Sequence, residues 1–191
     1  MENGMIPMSA VDFQITFNGP FRVSTGYARA GLDAAIDIEN PLPNTSLKGV
    51  MRATATQLLG EESAVVKQVF GSVEHEAPWR WGHATPGGSG WHTPKPAARV
   101  AIDADTHTAA PDMLGISEQT SAAHAFFTVT QRYPLDENAL RAHRLALAVA
   151  GQATRSLGAN RRRGLGWVTI TCTNVSLDRA AIDEFLTLRS A

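Results

Sequence analysis

The sequence is poor in residues that form covalent cross-links or zinc sites. Cys172 is the single cysteine, so the chain can form no internal disulfide, no Cys-x-x-Cys redox pair and no cysteine-rich zinc site. The six histidines include no His-Glu-x-x-His motif and no close pair with metal-ligand spacing, and there is no Gly-x-Ser-x-Gly motif. We therefore exclude serine and cysteine hydrolases and assign the histidines no metal. Cys172 is expected to be a small packing residue within a strand.

Long apolar runs are also missing. No uninterrupted run approaches the roughly 20 residues that a bilayer span needs, so we expect no membrane partner. Residues 1–4 lack the basic segment and apolar core of a secretory signal, which favours a cytoplasmic location. The length of 191 residues, 43% of them hydrophobic, fits one domain with a real core.

Net charge is nearly zero, but its distribution is uneven. The 17 basic and 18 acidic residues sum to −1, which creates no bulk field for attracting nucleic acid. Arginines nevertheless far outnumber lysines, and four of them crowd together at Arg155 and Arg161–Arg163. Because the planar guanidinium fork suits phosphate recognition, the sequence is compatible with a local anionic partner.

The periodicity of apolar residues predicts an α+β domain. Alternation over residues 11–17 predicts a strand with one buried face. Further strands are predicted at residues 21–24, 80–84, 99–103, 115–119, 124–132 and 167–175. Helices are predicted over residues 47–59, 61–70, 136–157 and after the Asp178 cap, with a long loop over 25–43 and a flexible turn over 106–113. This order fits the ferredoxin-like βαββαβ arrangement, a sheet backed by two helices.

The start of the first predicted helix could bind an anion. Asn44, Thr45 and Ser46 are candidate N-caps, and the unpaired N–H groups and dipole of a helix start attract negative charge. Lys48 and Arg52 are four residues apart and therefore share one helical face. An ordinary capped helix with two solvated bases fits the same spacing, and the Walker pattern is absent.

A second candidate for anion binding is the segment over residues 158–166. Gly158, Gly164 and Gly166 allow the backbone to approach a ligand closely, and Arg161–Arg163 offer charge-assisted hydrogen bonds. The alternative is a solvated turn between a helix and a strand. Three consecutive arginines framed by glycines favour an anion site.

Three acidic residues lie in the long loop before the first helix. Asp33, Asp37 and Glu39 could recruit a divalent cation or move a proton. Solvated loop acids would give the same pattern, because spacing alone does not distinguish an active-site carboxylate from a surface one.

Several of these segments resemble the motifs of one protein family, in the family's order. Residues 42–52, LPNTSLKGVMR, resemble the IPGSSLKGxxR element of the RAMP superfamily, the repeat-associated proteins that build CRISPR effector complexes. Phe70-Gly71 matches the Phe-Gly after the family's first helix. Residues 99–103, RVAID, with Thr106 and Thr108 beyond them, are similar to the family's RxxIDxxTGTA segment, and residues 158–166 resemble its glycine-rich loop.

Within the superfamily the chain most resembles the repeated backbone subunit of type III effector complexes. The resemblance implies one RAMP domain over residues 1–191, with a ferredoxin-like core at 9–72 and 97–176, an insertion at 73–96, a thumb-like region at 103–118 and a C-terminal helix at 178–189. The implied partners are CRISPR RNA, target RNA, copies of the chain itself and other effector subunits.

The resemblance also implies roles for individual residues. In such subunits an aspartate in the loop before the first helix cleaves target RNA with a divalent metal, magnesium or manganese. Asp33, in Gly31-Leu32-Asp33, matches that position best and would be both catalytic residue and metal ligand, and Asp37 is its rival. The expected RNA-binding residues are Ser46, Lys48, Arg52, Gly158, Asn160, Arg161, Arg162, Arg163 and Gly164. We expect the helix start and the arginine segment to meet in space as one cradle for a ribose-phosphate strand.

One other function fits the sequence, and a second fits it less well. The chain could be a non-catalytic structural or capping RNA-binding subunit of an effector complex, in which case the loop acids are incidental. A ribonuclease that processes the CRISPR precursor would need a general base, and no histidine lies at a convincing position for one.

Overall fold

The computed structural model describes residues 8–27 and 30–189. The strands are β1 (Ala10–Phe17), β2 (Trp79–Trp81), β3 (Thr85–Pro86), β4 (Lys95–Ile102), β5 (Ala109–Gln119), β6 (His124–Gln131) and β7 (Val168–Cys172). The helices are α1 (Asn44–Leu59), α2 (Ala64–Phe70), α3 (Glu137–Ala153) and α4 (Arg179–Thr187), and Arg161–Arg163 form one 3-10 turn.

The central sheet has the strand order β2-β6-β1-β7, and every neighbouring pair is antiparallel. The short strand β3 also pairs with β6. Among the four strands of this order, β1 comes first in the chain, β2 second, β6 third and β7 fourth. This is the interleaved order of the split βαβ motif, so the predicted α+β, ferredoxin-like fold is confirmed.

The core lies between the sheet and two helices. Val11, Phe13 and Ile15 of β1 are buried, as their alternation with polar residues requires, and Phe13 stacks on Phe127 of β6 with 4.8 Å between ring centroids. Helix α3 approaches β1 so closely that a Cβ on Gly151 would overlap the ring of Phe13.

Helix α1 packs on the sheet through residues spaced four apart. Its buried stripe consists of Leu47, Met51, Ala55 and Leu59, one face of the 3.6-residue period. The helix begins at Asn44, earlier than residue 47. Pro43 occupies the N-cap position and no side chain caps this end, so the predicted capping by Asn44, Thr45 or Ser46 is wrong. The Asn44 amide instead donates to the carbonyl of Trp81 at 3.1 Å.

Strands β4 and β5 form a separate hairpin outside the central sheet. Their register pairs Arg99 with Gly115 and Val100 with Leu114. The predicted strand over 99–103 therefore belongs to this hairpin. The predicted turn over 106–113 is correct for residues 106–108 and wrong beyond them, because β5 already begins at Ala109. The actual turn is closed by Asp103, whose Oδ1 accepts from the backbone N–H groups of Asp105 and Thr106 at 3.1 and 2.8 Å.

Other boundaries also differ from the predictions. Residues 21–24 form only isolated bridges, Phe21 with Thr120 and Ser24 with Ile36. Helix α3 ends at Ala153 rather than residue 157, because the chain beyond it is extended and pairs with the approach to β7 through the bridge between Ser156 and Trp167. The division into core, insertion and thumb remains a prediction. No helix among residues 8–27 and 30–189 is both long and apolar enough to cross a membrane.

Candidate functional site

One side of the N-terminal half of α1, from Ser46 to Ala53, and the segment over residues 158–166, called the arginine loop from here on, line one cavity of about 320 Å³. Ser46 and Gly49 line it from the helix, Gly158 and Arg161 from the loop, and Arg22 from the segment after β1. We call it the loop cavity. The expected proximity of the helix start and the arginine loop is therefore found.

Glycine is required where the arginine loop meets the segment after β1. Gly158 has a φ of +74°, and a Cβ there would overlap the carbonyl oxygen of Arg22. That oxygen accepts a hydrogen bond from the Ala159 N–H at 2.8 Å. At the other end of the loop, Leu157 N–H donates to Gly166 O, and Gly166 N–H donates to Pro20 O, each at 2.8 Å. Backbone contacts thus fix both ends of the loop.

The three arginines are presented to solvent by a tight turn. Asn160 adopts a left-handed conformation with a φ of +57°, and the 3-10 turn Arg161–Arg163 follows it and ends at the left-handed Gly164. All three side chains are exposed. In the part of the chain that the structure describes, the four ion pairs involve other residues. The three guanidinium groups are therefore available to an external anion.

Lys48 does not join the loop cavity. Its Nζ lies 5.3 Å from the centre of the Trp81 ring, and it lines a smaller cavity of about 160 Å³ together with Arg80 and Arg132. Burial lowers the pKa of Lys48, the neighbouring Arg52 and Arg132 charges lower it further, and the Glu76 carboxylate opposes them. Ser46 and Lys48 face different cavities because residues two apart on a helix do not share a face.

Arg52 lies one turn beyond Lys48 and is exposed. The expected single cradle is therefore wrong in one respect. Ser46 lines the loop cavity together with the arginine loop, whereas Lys48 lines a second basic surface around Trp81. A ligand that contacted both would have to cross the start of α1.

Asp33 lies at the base of the β4–β5 hairpin. Its Oδ2 accepts from the backbone N–H of Ile116 at 2.7 Å, and its own N–H donates to Ile116 O at 2.8 Å. Ala34 then forms a parallel bridge with Ser117. The side chain of Asp33 is exposed, and its Oδ1 accepts no hydrogen bond from the described residues.

Asp37 has a local structural role. Its Oδ1 accepts from the N–H groups of Glu39 and Asn40 at 3.0 and 3.3 Å, closing a turn before α1. Among residues 8–27 and 30–189, no group of three or more histidine, cysteine, aspartate or glutamate side chains could hold a metal ion. Magnesium commonly binds through one or two carboxylates together with substrate phosphates. The exposed Asp33 carboxylate would therefore need oxygen ligands from a bound phosphate group in order to hold a metal ion.

Two further arginines belong to the site but were not identified from the sequence. Arg22 is 7% exposed, and Arg99 extends from β4. With its amide oxygen facing them, Asn160 accepts from Arg22 Nη2 at 3.0 Å and from Arg99 Nη1 at 3.1 Å. Arg99 lies within the RVAID segment, which was a usable signal, but a single arginine between Phe21 and Val23 gave none.

Solved structures share this fold. A chain of type III-B Cmr-beta bound to cognate target RNA, determined by cryo-electron microscopy, matches with a TM-score of 0.63 and 18% identity over 88% of this chain. This chain spans 60% of the length of that one. A chain of type III-B Cmr-beta in the apo state matches with a TM-score of 0.64 and 13% identity, over 86% of this chain and 97% of that one. At these identities the likeness establishes the fold.

No curated protein was found that matches this sequence. The family model described as RAMP superfamily matches residues 35–169. This range runs from the loop that contains Asp37, through α1 and the hairpin, to the strand after the arginine loop. It covers more than half of the chain and contains all the motifs on which the resemblance rested. The chain therefore belongs to the RAMP superfamily.

Proposed function

We propose that this chain is a CRISPR RNA-binding backbone subunit of a type III effector ribonucleoprotein. One observation carries the proposal: one side of α1, from Ser46 to Ala53, and the arginine loop line a single cavity, and the three exposed arginines of that loop form no ion pair within the described residues. The shared fold with type III-B Cmr-beta bound to cognate target RNA supports an RNA partner. The expected location of such a complex is the cytoplasm.

The chemistry of the loop favours binding to the RNA backbone. Arginine side chains and backbone N–H groups at a helix start contact phosphate oxygens, which fix the register of a strand without reading its sequence. In this function the guide RNA supplies specificity through base pairing with the target. A net charge of −1 is compatible with such binding because the positive charge is concentrated at the loop. Copies of the chain and other effector subunits would line up along the guide.

We further propose that Asp33 takes part in cleavage of the bound target RNA. The 2′-hydroxyl of a nucleotide splayed out of the duplex attacks the adjacent phosphorus, the bond from phosphorus to the 5′-oxygen breaks, and the 2′ proton passes to the Asp33 carboxylate. The products are a 2′,3′-cyclic phosphate and a 5′-hydroxyl, with the leaving oxygen protonated by water. In the alternative form of this step, Asp33 would instead hold a divalent ion, magnesium or manganese, together with RNA phosphates, and the ion would supply charge neutralisation at the phosphate.

The experiment is incubation of the assembled particle with complementary RNA and magnesium. Evenly spaced products with cyclic phosphate ends would support the cleaving subunit. Intact RNA, bound to the particle, would contradict the catalytic role of Asp33.

The second candidate function is a non-catalytic structural or capping RNA-binding subunit. The contact that favours it is the hydrogen bond from Ile116 N–H to Asp33 Oδ2, because it gives the carboxylate a structural role that needs no chemistry. In that case the particle binds complementary RNA and leaves it whole.

A further inference from the structure

We infer that Arg22 and Arg99, held together by Asn160, form a binding site for one phosphate group, and that phosphate bound there strengthens the connection that Asn160 makes between the β4–β5 hairpin and the arginine loop. This inference rests on the proposed function, because it takes the RNA backbone as the expected source of the phosphate. Neither arginine was among the RNA-binding residues expected from the sequence.

Arg22 carries an unused donor in a buried position. Arg22 is only 7% exposed, and its Nε has no hydrogen-bond partner among the described residues. Buried polar groups are nearly always hydrogen-bonded in folded proteins, because an unsatisfied donor has lost its water without replacement. Arg22 also lines the loop cavity, where an incoming acceptor could reach this part of the chain.

The two guanidinium groups share a neutral partner. Asn160 accepts from Arg22 Nη2 and from Arg99 Nη1 through one amide oxygen, which brings two positive charges together. Burial lowers the pKa of Arg22, and the charge of Arg99 lowers it further. Neither arginine takes part in the ion pairs found among residues 8–27 and 30–189.

A phosphate group supplies what this arrangement lacks. Each guanidinium has five N–H donors, so the amide oxygen satisfies only one donor of each arginine. Phosphate brings negative charge and several acceptor oxygens, and arginine binds it through short, charge-assisted hydrogen bonds. Ser46 of α1 lines the same cavity as Arg22 and adds a side-chain hydroxyl to its wall.

The site connects parts of the molecule that are far apart in sequence. Arg22 follows β1, Asn160 lies in the arginine loop, and Arg99 lies on β4, where it pairs with Gly115 of β5. The carboxylate of Asp33 lies next to the same stretch of β5, since its Oδ2 accepts from Ile116 N–H at 2.7 Å. Bound phosphate therefore fixes the position of the hairpin base, and of Asp33 with it, relative to the loop.

The test uses the purified full chain and three variants. Arg99→Gln removes one exposed member of the site, Arg22→Gln removes the buried member, and Arg189→Gln removes an exposed arginine after α4 as the matched control. Inorganic phosphate is titrated against chloride at constant ionic strength while thermal unfolding is followed. In parallel, hydrogen exchange of residues 109–119 is measured with and without a mixed-sequence single-stranded RNA.

We expect phosphate to stabilise the wild-type chain, and Arg99→Gln to weaken its apparent affinity about tenfold or more. RNA should protect the hairpin from exchange in the wild type and in Arg189→Gln, and this protection should be lost in Arg99→Gln. Should Arg22→Gln fail to fold, Arg99→Gln still decides the matter. If the effects of both phosphate and RNA depend on Arg99, the site accepts phosphate from either source. If only the effect of RNA depends on Arg99, the site is specific for the phosphates of the RNA backbone.

Equal behaviour of Arg99→Gln and Arg189→Gln with both probes would overturn the site. If RNA binding itself were unchanged in Arg99→Gln and hairpin protection persisted, the proposed function would stand and this inference would fail. If the wild-type chain and the assembled particle bound no RNA while the phosphate response depended on Arg99, the site would stand and the proposed function would fail.

Discussion

Asp33 and Glu118 anchor two segments of the chain to each other in a reciprocal way. Asp33 Oδ2 accepts from the backbone N–H of Ile116 in β5 at 2.7 Å, and Glu118 Oε2, from β5, accepts from Ile36 N–H at 2.9 Å. A backbone hydrogen bond from Glu118 N–H to Ala34 O, at 3.0 Å, joins the same two segments. Each acid thus binds the main chain of the opposite segment, so the loop before α1 is fixed to the base of the hairpin.

Two substitutions separate the structural role of Asp33 in this anchor from its proposed role in cleavage. Asp33→Asn keeps an oxygen that can accept from Ile116 N–H but removes the charge, whereas Asp33→Ala removes both. We expect both variants to reduce RNA cleavage by the assembled particle at least about a hundredfold. Only Asp33→Ala should also lose about 1 kcal/mol of unfolding free energy, the net value of one hydrogen bond. Cleavage assays and urea titrations measure the two effects.

Asp37→Asn is the matched control for that experiment. Its side chain closes a turn through Glu39 and Asn40, and the amide oxygen can keep those contacts. Full cleavage by Asp33→Asn together with loss of cleavage by Asp37→Asn would transfer the catalytic role to Asp37. Full cleavage by both variants would remove it from these acids.

The arginine loop predicts a specific salt dependence. Replacing Arg161, Arg162 and Arg163 by alanine should weaken binding to RNA of any sequence, because phosphate contacts carry no sequence information. For single-stranded RNA, the slope of log K against log salt should flatten by about 2, since each lost phosphate contact contributes roughly 0.7. The control is the triple alanine variant of the exposed Arg141, Arg179 and Arg189. An identical slope in both triple variants would contradict the role of the loop.

The glycines of the loop should differ in their sensitivity to alanine. Gly164 has a φ of +80°, and no atom lies within 4 Å of the place that an added methyl group would take, so Gly164→Ala should cost only the left-handed strain of about 1–2 kcal/mol. Gly158→Ala adds the overlap with Arg22 O and should cost roughly 2–5 kcal/mol. Urea unfolding of the two variants gives the comparison, and equal losses would show that the close approach at Gly158 relaxes freely.

His143 predicts a loss of stability on acidification. It is 3% exposed, and its Nδ1 accepts from Trp79 Nε1–H at 3.1 Å. Burial lowers the pKa of His143, with Asp136 partly opposing the shift, so the unfolded chain takes up this proton first. The stability that neutral His143 contributes is complete above the pKa of about 6.5 that histidine has in the unfolded chain. This stability is lost as the pH falls below that pKa, at up to about 1.4 kcal/mol per pH unit.

Unfolding free energies of the wild type and His143→Gln across this pH range provide the test. The difference between the two proteins should shrink as the pH falls, because only the wild type can gain the proton on unfolding. His75→Gln, which alters an exposed histidine, should run parallel to the wild type. A constant difference for His143→Gln would refute the assignment.

The sequence predicted those elements whose pattern is imposed by burial. Strand β1 has one buried face, so Val11, Phe13 and Ile15 alternate with polar residues and reveal it. The first half of β5 is largely exposed, contains Pro111 and has Asp112 at a φ of +57°. No burial imposes a period of two there, and the sequence pattern therefore favours a turn.

The candidate site was predictable only where its residues are close in sequence. Ser46 and the arginine loop carry their own motifs. Arg22 contacts Asn160 only because the chain after β1 runs beside the loop, a tertiary contact that no local pattern records. Helix geometry alone predicts that Ser46 and Lys48 lie on different faces of α1. Which cavity each residue lines depends on where Trp81 and Gly158 lie in the folded chain.

The hairpin anchor has a mechanical consequence. The tip of the hairpin, around Asp103 and Thr106, is distant along both strands from the base where Asp33 and Glu118 fasten it. Every hydrogen bond of this anchor lies on β5 at or beyond Ile116, so the tip shares none of them. A substitution at the tip therefore leaves the hydrogen bonds that hold the Asp33 carboxylate intact.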